Sequence, residues 1–182
     1  MTLPSPQSPS YDMLPQIIAI GRPSEMSTDD PAYLNRGEGR TYQMGRITLT
    51  FKASEDAGYS ICETVDAPGG TGASLHRHPT YQETHIVMEG EYEFQIGDQI
   101  VRLGPGGMAF MPKGVVHGIR KISGGIGRQL IISSPAGVFE AFVAEVAAAQ
   151  VDTGNADRAG SLDFRAICAK HGIEFIAESV GQ

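Results

Sequence analysis

Tryptophan is absent from this chain, cysteine occurs twice, and basic residues are outnumbered by acidic ones, 14 to 21. Each shortage excludes something. A formal net charge of −7, with no basic stripe in view, argues against a nucleic-acid partner, because phosphate binding needs clustered positive charge. Cys62 and Cys168 stand far apart with no Cys-x-x-Cys pair. That excludes a disulfide framework and a thiolate zinc knuckle; two buried thiols in a cytoplasmic protein are expected instead. No apolar run approaches the roughly 20 residues of a membrane helix, so no membrane partner is expected. The opening MTLPSPQSPSYDMLPQ has neither a basic n-region nor an apolar h-region, which excludes a signal peptide. Its Pro4, Pro6, Pro9 and Pro15 among scattered serines predict a flexible arm over residues 1–15.

What is present is a chain of 182 residues, 41% of them hydrophobic, enough for one domain with a full core. From about residue 43 to 134 the pattern has period two, broken by glycine or proline at short intervals. In GRITLTFK, Ile47, Leu49 and Phe51 alternate with polar residues; in GEYEFQIG, Tyr92, Phe94 and Ile96 share one face. Gly97-Asp98 predicts a hairpin turn into QIVRL. Eight or nine short strands result, and an antiparallel all-β barrel is their natural closure. The expected barrel unit runs over 16–134 and includes an N-terminal strand extension in QIIAIGRP. Residues 135–182 switch to helical periodicity and predict a helical segment packed on the barrel. Its first helix is expected to start with Ser134 as N-cap and Pro135 in the first turn. The second runs from Ser161 as N-cap to Gly172, with His171 placed in its last turn by the helix dipole.

Three of the five histidines fall within SLHRHPTYQETH, residues 74–85. His76 and His78 are two apart on a predicted strand, so both rings point to one face. Glu83 follows after a break at Pro79. His117, on VVHGIRKI, is the remaining histidine in the barrel region and would complete a four-ligand set of three imidazoles and one carboxylate. That donor set suits one divalent transition metal (Fe, Mn, Ni, Co, Cu or Zn) and poorly suits Mg or Ca. A structural zinc site would be closed and usually richer in thiolate. The competing reading is a polar cluster at a loop.

The spacing G-x5-H-x-H-x4-E-x6-G is met by Gly70, His76, His78, Glu83 and Gly90, and G-x5-P-x-G-x2-H-x3-N by Gly106, Pro112, Gly114 and His117, with Lys121 where Asn is expected. These residues resemble the two conserved-barrel motifs of the cupin superfamily, over roughly residues 43–134. The tail, SSPAGVFEAF and later HGIEF, looks like the single-domain cupins grouped as quercetin dioxygenase-like. The resemblance implies a double-stranded β-helix (jelly-roll) barrel with C-terminal helices, a metal on His76, His78, Glu83 and His117, and a homodimer. A monomer with the QIIAIGRP segment folded back is the alternative.

The activity implied is that of a metal-dependent dioxygenase acting on a small, oxygen-rich chelating substrate, with Glu83 accepting a proton. A non-catalytic small-molecule-binding cupin, or a metal-dependent isomerase or lyase, fits the same residues. His85 shares the inward parity of Glu83 and Val87. It is a catalytic candidate, as general base or hydrogen-bond donor, or else a histidine bonded to a neighbouring strand. Ligation is disfavoured, since its ring should lie about 6 to 7 Å beyond Glu83 along the strand. Tyr59, Tyr92, Phe94 and Phe110 line a pocket or are plain core.

Overall fold

The computed structural model describes residues 33–53, 57–69, 72–153 and 162–176. The arm over 1–15, the QIIAIGRP extension, Gly70 and Ser161 lie outside the described residues. Within them the order is β1 (Arg40–Met44), β2 (Ile47–Ala53), β3 (Ser60–Asp66), β4 (Gly72–Arg77), β5 (Gln82–Glu89), β6 (Tyr92–Ile96), β7 (Gln99–Leu103), β8 (Met108–Met111), β9 (His117–Lys121), β10 (Gly127–Ser134), α1 (Val138–Thr153), α2 (Leu162–Lys170) and β11 (Glu174–Phe175). Ten strands thus precede the helices, against eight or nine expected. The addition is β1, an edge strand paired only with β2 and mostly exposed, so it carries a weak alternation signal.

The strands form two antiparallel sheets, one in the order β1-β2-β3-β10-β5-β8 and the other in the order β11-β4-β9-β6-β7. This is a jelly-roll barrel with C-terminal helices. Period two decides which side chains enter it. On β5, Glu83, His85 and Val87 are buried between the less buried Gln82, Thr84 and Ile86. The β10 register sets Ser133 opposite Glu83, Ile131 opposite His85 and Gln129 opposite Val87. Two apolar clusters fill the space. One joins Leu49, Phe51, Cys62 and Ile131 to Phe142, Val143 and Val146 of α1 and Cys168 of α2. The other joins Val87, Ala109 and Met111 to Tyr92 and Phe94. Each large side chain so buried contributes about 1.5–3 kcal/mol. Tyr59 and Phe110 are 44% and 45% exposed, so of the four aromatic candidates only Tyr92 and Phe94 face the interior.

The start of α1 differs from expectation. Ser134 is the last residue of β10, paired with Gln82 of β5, and therefore does not cap the helix. The sheet ladder takes its backbone, and the first helical turn forms three residues later, with the Ala141 amide donating to Gly137 O. Arg40 on β1 holds α1 against the sheet edge through Glu140, with N···O distances of 2.5 and 2.7 Å. Helix α2 ends as expected: Ile173 N–H bonds Cys168 O across Gly172, whose φ is 70°. His171 also bonds Glu145 of α1 at 2.8 Å, so it ties helix to helix besides sitting at a C-terminus. Among the described residues no helix is long and apolar enough to cross a membrane.

Candidate metal centre

Two adjacent strands bring the imidazoles together. His76 of β4 pairs directly with His117 of β9 in the ladder, and His78 follows β4 by one residue. The turn before β9 fixes His78: the Gly114 amide donates to His78 O at 2.9 Å, in a turn that holds Gly114 at φ 77°, a conformation a side chain would oppose. The ring centroids lie 4.8 Å apart for His76 and His78, 4.4 Å for His76 and His117, and 4.6 Å for His78 and His117. One ligand nitrogen from each ring falls within 4.8 Å of the others, a span that a single ion can bridge.

The outer hydrogen bonds orient two of these rings. His76 Nδ1–H donates to Ser74 O at 2.7 Å and His117 Nδ1–H to Val115 O at 2.9 Å, which leaves Nε2 of each with a free lone pair, as a ligating histidine requires. Nε2 of His117 is buried and has no hydrogen-bond partner. A buried nitrogen lone pair without a partner is costly, and an ion among the three rings relieves that cost. Tyr81 stacks flat on His78, with centroids 4.0 Å apart and planes 10° apart. Burial depresses the basicity of all three histidines, His78 to about 4; they are neutral at pH 7, the form that binds metal. The residues present fit a divalent transition metal.

Glu83 is 5% exposed and is not part of the imidazole group. Its Oε2 lies 3.4 Å from His85 Nε2. Burial pushes its carboxyl upward, but the His85 hydrogen bond and charge, followed by His78 and His117, overcome this and hold it below the usual carboxylate range. His85 packs edge-on to Phe94 at 5.7 Å, and its Nδ1 meets Gln129 Oε1 of β10 at 2.9 Å. The chain of polar contacts continues inward. Beyond it, Tyr92 Oη donates a short hydrogen bond to Asp66. Gly127 makes room for that phenol, since a Cβ there would lie 2.1 Å from Tyr92 Oη.

Several of these residues were not among the candidates. Gln129 is detectable in retrospect as the polar residue at inward parity in an apolar strand, before Ile131. Tyr81 gave no signal beyond its nearness to His78. Lys121, at the position where the second motif expects Asn, is 3% exposed. Its ammonium donates to Ala67 O at 2.9 Å and to Gly125 O, so a cation tying two loops together fills that place.

Comparison with known proteins agrees with this architecture. Residues 63–132 match the family model described as a cupin domain. Similar solved structures include KdgF from a Halomonas species, 16% identical, covering 59% of this chain and 96% of that one with a TM-score of 0.53. An RmlC-like cupin from Shewanella frigidimarina is 20% identical, covering 59% and 93% with a TM-score of 0.51. At such identities the likeness concerns the fold alone. Comparison with curated proteins finds no match. The matched segment holds all four residues of the imidazole–carboxylate set, and the two-sheet barrel around it is similar in fold to these cupin structures.

Proposed function

We propose that this protein is a metal-dependent dioxygenase of the quercetinase type, holding one divalent transition metal on His76, His78, Glu83 and His117. The observation that carries the reading is the unpaired, buried Nε2 of His117 within a cluster of three neutral imidazoles. When bound, the metal supplies coordination positions for a small substrate with adjacent oxygens, and a centre able to take part in oxygen chemistry. The chain's own residues supply the rest. Ser74 and Val115 carbonyls orient His76 and His117, and the barrel wall excludes water. Glu83, ionised and buried, is the acceptor for a substrate proton, with His85 beside it as a second polar group.

Glu83 as fourth ligand, and Glu83 and His85 as catalytic groups, belong to this proposal, as do a cytoplasmic homodimer and a small-molecule substrate. The free buried thiols of Cys62 and Cys168 suit a reducing compartment. Reconstitution with Fe, Mn, Ni or Co in turn, followed by oxygen uptake with flavonols and small dioxygenated acids, tests the activity. Metal-dependent uptake is expected. Conversion of substrate without oxygen uptake would point to the isomerase or lyase chemistry that the same ligands serve. Stoichiometric ligand binding without turnover by any metal would identify a binding protein.

A further inference from the structure

Four side chains beyond Glu83 are buried polar groups of the barrel interior: His85, Gln129, Tyr92 and Asp66. Asp66, 3% exposed, offers acceptors, so Tyr92 donates its phenolic proton to it. The Gln129 side-chain amide meets His85 Nδ1 at 2.9 Å, and His85 Nε2 lies 3.4 Å from Glu83 Oε2. With its proton on Nε2, the neutral ring donates to the carboxylate. Packing reinforces this placement. The imidazole stands edge-on to Phe94, and Tyr92, Phe94 and Val87 are each no more than 1% exposed, so the ring has little room to turn.

We propose that His85, held by Gln129 and Phe94, is a positioning residue that gives the Glu83 carboxylate a second seat in competition with the metal. The inference rests on the metal reading above. In the metal-free protein Glu83 sits on His85; in the metal-bound protein the carboxylate turns toward the three imidazoles and gives up that contact. His85 therefore stabilises the metal-free state and sets how tightly the ion is held. Removing His85 leaves Glu83 buried without a strong partner, a condition the ion relieves, so affinity rises. A histidine that merely supported the metal-bound geometry would act in the opposite direction.

The test is Co(II) binding to the full chain, with the dissociation constant from chelator competition, the visible absorption of bound Co(II), and thermal melts with and without the ion. His85→Phe keeps the ring packing on Phe94 and removes both nitrogens; it is expected to tighten Co(II) about tenfold, the scale of one hydrogen bond to a charged group. Gln129→Leu loosens His85 without touching Glu83 and is expected to tighten binding about threefold, which keeps the test available if His85→Phe does not fold. In both variants the melting temperature gained on adding Co(II) should exceed that of the wild type, whereas damage of a merely structural kind lowers both melts together. Wild-type binding with an unchanged or weakened affinity in the folded variants overturns this inference and leaves the metal reading standing. A wild-type protein that takes up no Co(II) overturns both.

Discussion

The two ends of the barrel interior are built from the same strands but are finished differently. Strand β9 begins at His117 and ends at Lys121; β10 begins at Gly127, opposite Asp66, and reaches Ser133, opposite Glu83. At the Lys121 end Tyr92 bonds Asp66 and the Lys121 ammonium bonds two carbonyls, while Thr64 Oγ1 and Arg128 Nε are buried without a partner. At the His117 end, His117 Nε2 and Ser133 Oγ are buried without one. A satisfied buried network stabilises and fixes a core, while groups left open in a preformed space are reserved for something else. The contrast is between the bonded Tyr92, Asp66 and Lys121 groups, which serve the fold, and the three converging imidazoles, which suit a ligand.

Substitutions can break that contrast from either side. The largest effect is expected of His76→Ala combined with His117→Ala, which removes two paired ligands and should abolish bound metal by elemental analysis while the fold survives; retained metal would sink the assignment. At the closed end, Lys121→Met should leave metal stoichiometry intact but cost about 2–3 kcal/mol in denaturant unfolding, the scale of losing hydrogen bonds made by a buried charge. Loss of metal in that variant would show that the ends are not separable.

A smaller effect follows from pH. His76, His78 and His117 are less basic in the folded chain than the ordinary imidazole near 6.5, His78 reaching about 4. Between those values the unfolded chain binds more protons, so stability rises with pH there. Melts of the metal-free protein should be level above pH about 6.5 and fall progressively toward pH 4; a flat profile across that window would contradict neutral, buried rings. The smallest change is expected of Glu145→Gln, which loosens the exposed contacts to Lys170 and His171. It should cost under about 1 kcal/mol and leave metal binding untouched.

The open end was more legible in the sequence than the closed one. Strand parity alone places Glu83, His85 and Val87 on one face, and motif spacing selects His117 from forty residues away. Gln129 could not be joined to His85, nor Asp66 to Tyr92, in the same manner, because each meeting depends on which residues of β10 and β5, or of β3 and β6, face one another. That register is fixed by packing between sheets and not by local pattern. Ser134 shows the same limit, since its side chain and the following proline suit a helix cap while the β5 ladder claims its backbone. Lys121 illustrates a third case: a departure from a motif leaves a vacancy that only tertiary contacts can fill.

His76 and His117 belong to the five-stranded sheet, and Glu83 belongs to the six-stranded one. An ion held by all of them would act as a rivet between layers that otherwise meet through side-chain packing and side-chain hydrogen bonds such as that of Tyr92 to Asp66. Backbone amides in β4 and β9 would then exchange their hydrogens together with those of β5, as one cooperative unit. The barrel would lose its freedom to breathe at one mouth while the other stays as it was.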